Sequence, residues 1–482
     1  MTVDNRQRWL ALYILCLGSL MIVLDATIVN VALPSIREDL GFSETSLAWV
    51  VNAYLLTYGG LLLLGGRLGD LYGHRRLFIF GITLFTLSSL ACGLSGSQGF
   101  LVTARAVQGV GGAIASAVSL SLIMTLFTET TERAKAMGFF GFVASGGGTL
   151  GVLLGGVLTD SLSWHWIFLV NVPIGIVVCA LCLRLLPSDQ GGGGGGKLDV
   201  PGALAVTSSL MVAVYAIVNG NQNGWTSFET LGLLGLAVVL LGLFLAIEAR
   251  VSAPLMPLRL FRSRNVSTAN AVGVLWAAAM FAWFFLSALY LQLVLGYSPL
   301  EVGLAFAPST LIMGAFSLGL SAKLVIRYGY RPPLAVGLSL AAAGLLLFAR
   351  APVDGSFVVD VLPSMILLGF GAGMAFNPVL MAAMNDVEPS EAGLASGVVN
   401  TSFMMGGAVG LAVLASVAAS RTDSLRGSGE DALQALTGGY HTAFLIGALF
   451  ALAGAALGSV LLRSGRADAE PEEQPEFVEA YE

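Results

Sequence analysis

Long apolar runs, broken by short clusters of Gly, Arg, Ser and Asp, follow one another along the whole chain. A helix rises about 1.5 Å per residue, so runs of about 18 to 25 residues cross about 30 Å of hydrocarbon. The two-residue alternation of an outer-membrane barrel strand is absent, so the spans are expected to be helical. Hydropathy and loop punctuation predict fourteen of them, at 9–34, 46–66, 77–96, 99–127, 134–159, 164–186, 200–219, 230–248, 267–295, 300–325, 332–350, 357–384, 391–419 and 438–462. The expected fold class is an all-α polytopic membrane protein with 14 transmembrane helices.

Composition agrees: of 482 residues 56% are hydrophobic and only 11% charged, too apolar for a soluble globular chain. Eighteen of the 23 Lys and Arg fall on one side of the predicted spans and four on the other, with Arg105 inside a span. By the positive-inside rule this puts both termini in the cytoplasm, in a multi-pass protein of the cell membrane. The short basic start, Met1 to Arg8, leads into a run too long for a signal peptide, so the first span is expected to be retained. A net charge of -6, much of it in the tail after Arg466, argues against nucleic acid.

The halves of the chain repeat. Gly138, Gly148 and Gly151 match Gly397, Gly407 and Gly410, and the loop Gly66–Arg75 has a degraded copy at Ala322–Arg331. The expected organisation is a six-helix half at 1–186, a Gly-rich linker with two inserted helices at 187–264, a second half at 265–464 and a disordered acidic tail at 465–482. Parallel repeats of this kind imply a pseudo-twofold axis along the membrane normal, with a site between the halves. Gly191 to Lys197 mimics a phosphate loop, but Leu198 stands where a Mg-binding hydroxyl is needed and no strand precedes it, so no nucleotide is expected. The four cysteines lie in apolar runs, and no metal cluster or other cofactor is expected; nor is an enzyme.

Asp25 is the anomaly. A carboxylate at the centre of a span costs about 2.5 to 3.5 kcal/mol and normally serves ion or substrate movement. Counting from Pro34 and Gly99 puts Asp25 about 13 Å and Arg105 about 9 Å below one surface, so the two could meet. A carboxylate held between desolvation and a guanidinium can load and release a proton, and a cationic cargo could compete for it; a static ion pair is the alternative. Asp25 is the only acid read as deep, which predicts one proton per cycle and neutral or singly charged lipophilic cargo. Trp276, Met280, Trp283, Ser287 and Tyr290 share one helical stripe, which suits either a cavity wall or ordinary packing. Asn30, Asn52, Tyr54, Gln108, Gln292 and Asn400 are intramembrane polar groups that line the same cavity or bond between helices. Trp164, His165 and Trp166 are expected in an interfacial aromatic belt.

Four stretches together resemble the major facilitator superfamily, in its fourteen-helix drug:proton antiporter branch. They are Leu24–Pro34, the Gly66–Arg76 loop with its G-x-L-x-D-x-x-G pattern, Arg105–Gly112 and Trp164–Gly175. The resemblance implies the major facilitator fold, proton-coupled export of lipophilic or amphipathic compounds such as drugs or antibiotics, and a proton role for Arg105. It also implies that Gly66, Asp70, Gly73, Arg75 and Arg76 form a conformational latch; the residues themselves allow a tight turn at the glycines and a pairing of Arg75 or Arg76 with Glu129 or Glu132, and a solvated positive-inside loop is the alternative. One motif departs: the branch has G-P-x-x-G-G where this chain reads Gly151-Val152-Leu153-Leu154-Gly155-Gly156. These glycines, with Gly147, are expected to bring helices close. The alternatives to export are a proton symporter or facilitator for a small metabolite, or a non-transporting sensor.

Overall fold

The computed structural model describes residues 5–127, 129–186, 199–251, 254–316, 320–384, 387 and 392–462. The Gly-rich linker and the acidic tail therefore lie outside the described residues. The first helices are α1 (Asn5–Leu40), α2 (Glu44–Tyr72), α3 (His74–Gly93), α4 (Gln98–Leu126), α5 (Thr130–Ser161), the short α6 (Trp166–Leu169) and α7 (Asn171–Leu185). Then come α8 (Val200–Asn223), α9 (Phe228–Glu248), α10 (Arg264–Leu289), α11 (Pro299–Ala315), α12 (Ser321–Tyr328), α13 (Arg331–Phe348), α14 (Leu362–Met384), α15 (Ala392–Gly427) and α16 (Ala432–Leu461).

Among the described residues twelve helices are long and apolar enough to cross a membrane. Within the expected spans at 134–159 and 300–325 lie two shorter apolar stretches, Leu150–Ser161 and Pro299–Ala315, which are not among the twelve.

Helix ends follow local chemistry. Ser43 and Ser46 form a reciprocal capping box at the start of α2, and Ser298 and Glu301 do the same for α11. Between α2 and α3 a single residue, Gly73, makes the turn with φ of 97°, a left-handed conformation that a side chain would strain. This corrects the expected glycine-rich turn, because Gly66 lies inside α2, where helical hydrogen bonding continues through Tyr72.

The repeat is visible in the packing. In the first half α1 packs on α5 and α7, α4 on α2 and α3, and α3 on α7; α10 on α15 and α16, α14 on α11 and α13, and α13 on α16 reproduce these pairs. Two seams join the halves, α2 against α15 and α5 against α11, and these are equivalent by the same repeat. The inserted helix α8 touches both α2 and α15. Its partner α9 packs on α8 and leaves Phe228, Val238 and Val239 exposed, as expected of a surface solvated by lipid.

Candidate functional site

Four helices of the first half converge on one carboxylate. The side chain of Asp25 is fully buried on α1, and Arg105, 1% exposed, donates from Nη1 to its Oδ2. Gln108 donates from Nε2 to Oδ1 at 2.7 Å, and Asn171 from Nδ2 to the same oxygen at 3.0 Å. Ser89 Oγ accepts from both amides, at 2.7 and 3.0 Å, and so ties α3 to α4 and α7. A carboxylate out of water needs its charge and its lone pairs answered, and here three donors do both.

Arg105 is held from several sides. Its Nε donates to the Val50 carbonyl at 2.9 Å, its Nη1 also reaches Gln108 Oε1 at 2.7 Å, and its guanidinium carbon lies 4.4 Å from the centre of the Tyr54 ring. This is the planar fork and stacking that an arginine supplies and a lysine does not. Small residues on α4 set the geometry. A Cβ on Gly109 would lie 2.5 Å from the Tyr54 carbonyl of α2, so only glycine lets α4 approach closely enough. Thr57 Oγ1 then bonds the Ala106 carbonyl at 2.8 Å, fixing the register beside Arg105.

Asp25, Arg105, Gln108 and Tyr54 are therefore brought together. Asn30 lies one to two turns away, its amide on the Thr27 carbonyl at 3.2 Å, and Asn52 is fully buried with both amide atoms unpartnered. The second-half residues stand apart. Trp276 and Asn400 line a small apolar cavity with Phe376, Val379 and Phe403, and the indole N–H of Trp276 has no acceptor. Trp283 packs against Phe284 and Phe306, beside the half-buried Met280. Tyr290 donates to the Pro352 carbonyl at 2.7 Å, in the turn after α13. Gln292 crosses between halves, its Nε2 donating to the Val31 carbonyl of α1 at 2.8 Å. In this conformation Asp25 is enclosed by its own partners Arg105, Gln108 and Asn171.

The glycines of α5 divide their work. A Cβ on Gly147, Gly151 or Gly155 would strike α1, at Val23, Thr27 or Ile28, whereas one on Gly156 would lie 2.8 Å from the Pro299 carbonyl of α11. Val152 is buried, and its carbonyl lies against Gly303 of α11. In the expected latch, Arg75 Nη2 donates to the Leu183 carbonyl at the end of α7, at 2.6 Å, and Glu132 pairs with Arg8 at 3.1 Å. The side chain of Asp70 lies outside the described residues. Arg76 is exposed at the start of α3.

Sequence reasoning missed two contributors. Asn171 stood in a stretch already quoted, Trp164–Gly175, and Ser89 sits mid-span; both were findable as polar residues among apolar neighbours. Of the expected aromatic belt, Trp164 is buried, its Nε1 donating to Asp39 Oδ2 at 3.0 Å and its ring stacked on His165, whereas Trp166 is exposed. Asp25 is also not the only deep acid: Asp199 and Glu248 are 2% and 3% exposed. Their burial comes from tertiary packing at helix ends, where hydropathy expects solvent.

The sequence model of the family described as Major Facilitator Superfamily matches residues 15–411. The puromycin resistance protein pur8 of Streptomyces alboniger is 41% identical over 86% of this chain and 83% of its own length. The cephamycin export protein CmcT of Amycolatopsis lactamdurans is 39% identical over 94% and 92%. The multidrug resistance protein Stp of Mycobacterium tuberculosis is 38% identical over 86% and 76%. Among solved structures, a bacterial homolog of the human lysosomal transporter Spinster, inward-facing and unoccupied, aligns over 95% of this chain and 97% of its own with a TM-score of 0.67 and 16% identity. That likeness concerns the fold.

Proposed function

The chain belongs to the Major Facilitator Superfamily, and on that premise we propose that it exports lipophilic or amphipathic small molecules, antibiotics among them, against an inward flow of protons. The names of its puromycin, cephamycin and multidrug relatives support that cargo class, and a transporter rather than an enzyme. We read it as a member of the fourteen-helix drug:proton antiporter branch, in the cell membrane with both termini cytoplasmic. The halves are 1–186 and 265–464, with the inserted pair between them.

The observation that carries this reading is the enclosure of Asp25 by Arg105, Gln108 and Asn171. A proton arriving at Asp25 cancels the charge that Arg105 answers, and the guanidinium then keeps Val50, Gln108 and the Tyr54 face. All of these groups sit in the first half, so the proton acts on cargo at a distance. The path runs through α1: Val31, six residues or about 9 Å along the helix from Asp25, accepts the bond from Gln292. A shift of α1 on protonation therefore reaches the seam between the halves, and with it the cavity beside Trp276 and Asn400. The Gly66–Arg76 stretch, with Asp70, Gly73, Arg75 and Arg76, serves in this reading as the latch on the opposite face.

Val152, standing where the antiporter motif has proline, favours one second reading: a proton symporter or facilitator for a small metabolite. The test is transport of a fluorescent lipophilic compound by the purified protein in vesicles, with a proton gradient of either direction. Antiport predicts uphill movement of cargo opposite to the protons. Movement with the protons, or only downhill, contradicts it.

A further inference from the structure

Asp199 and Glu248 sit where the inserted pair returns to the face that carries Gly73. Asp199 caps α8, its Oδ1 accepting from the Gly202 amide at 2.9 Å. Glu248 ends α9, its Oε2 accepting from the Met256 amide at 3.1 Å. Each carboxyl thus uses one oxygen on the backbone. The other two oxygens, Asp199 Oδ2 and Glu248 Oε1, are buried without a donor, and the two side chains lie within interaction range of each other. Among the described residues Asp199 is the only charged side chain acting on Glu248. The arginines of the neighbouring elements, Arg67 on α2 and Arg250 and Arg259 on the connector to α10, are exposed.

Two adjacent buried carboxylates cannot both stay ionised without a cation. One hydrogen between them would satisfy both orphaned oxygens at once, as donor to one and part of the other. The backbone bonds on the outer oxygens would be undisturbed.

What the pair holds is the connector. Leu255 packs with Leu64 of α2 and Ala203 of α8, while Met256 and Phe261 pack around Leu260, Val266 and Val398 together with Leu63 of α2. The connector therefore fills the seam where α2 of one half meets α15 of the other, and Glu248 fastens it there through Met256. We propose that Asp199 and Glu248 form a proton-binding site separate from Asp25, holding one proton between their inner oxygens, and that this proton keeps the connector seated in the seam. Loss of the proton to water on that face leaves two like charges in contact, parts the ends of α8 and α9 and withdraws Met256 from between the halves. The inference does not depend on the direction of transport or on Asp25 as the coupling group.

The test is infrared titration of the full-length protein in lipid discs, in an Asp25→Asn background that removes the other buried acid. The expected result is a protonated-carboxyl band near neutral pH that is lost on adding Glu248→Gln, and lost likewise on adding Asp199→Asn should the first variant fold poorly. In parallel, hydrogen exchange across 254–262 should rise at alkaline pH beyond the chemical rate with the pair intact, and stay slow with the neutral Glu248→Gln. Absence of the band from the Asp25→Asn protein, its survival in both second variants, or the same alkaline rise in Glu248→Gln would each overturn the proposal.

Discussion

Asn171 donates to Asp25 across 3.0 Å, and this one bond ties the start of α7 to the middle of α1 inside the first half. A bond to a charged group is worth about 1.5 to 3 kcal/mol, and its loss also leaves Ser89 with one donor fewer. Asn171→Ala should therefore lower the thermal stability of the purified protein by about that amount and slow gradient-driven export. Unchanged unfolding would mean that Gln108 and Arg105 alone satisfy the carboxylate.

Arg105→Lys keeps the charge but loses the fork. One ammonium cannot serve Asp25, Gln108 and the Val50 carbonyl together, nor lie flat on Tyr54. Gradient-driven export should fall at least about tenfold, the consequence of roughly 1.4 kcal/mol or more lost from the set. Near-normal rates for the lysine variant would show that charge alone suffices.

Gly151 packs on α1 so closely that a Cβ would lie 2.0 Å from Thr27 Oγ1. Gly151→Ala should cost about 1 to 3 kcal/mol by overpacking, and Thr27→Ala in the same chain should restore part of it. Gly148→Ala, with nothing within 4 Å, is the control and should be close to neutral. Equal effects of the two alanines would remove the packing explanation.

Gln292 holds the Val31 carbonyl across the seam at 2.8 Å. Removing it in Gln292→Leu should shift the equilibrium between the two arrangements of the halves by about 1 kcal/mol, roughly a fivefold change in population. Spin-label distances between α1 and α11 at the Leu40 end would report the shift as a larger separated fraction. An unaltered distribution would show that packing of α5 on α11 closes this end unaided.

How far these features could be read from residues alone depended on the physical signal each leaves. Asp25 and Arg105 declare themselves because charge inside an apolar run has few explanations, and the glycine spacing of α5 predicts a close approach. Asn171 and Ser89 leave a weaker mark, since a single amide or hydroxyl in a span commonly bonds its own helix. Gly66 reads as a turn residue in isolation, yet the helix continues through it because α2 is packed on α4 along its length. Asp199 and Glu248 gave no warning: helix-end acids are usually solvated, and only the folding back of the connector buries them.

The most direct measurement is proton-driven export by Asp25→Asn beside the unaltered protein, in vesicles of equal protein content with an imposed proton gradient. The account predicts that the gradient accelerates export by the unaltered chain and has no effect on the variant, whose downhill exchange persists. Uphill, gradient-dependent export by Asp25→Asn would contradict it.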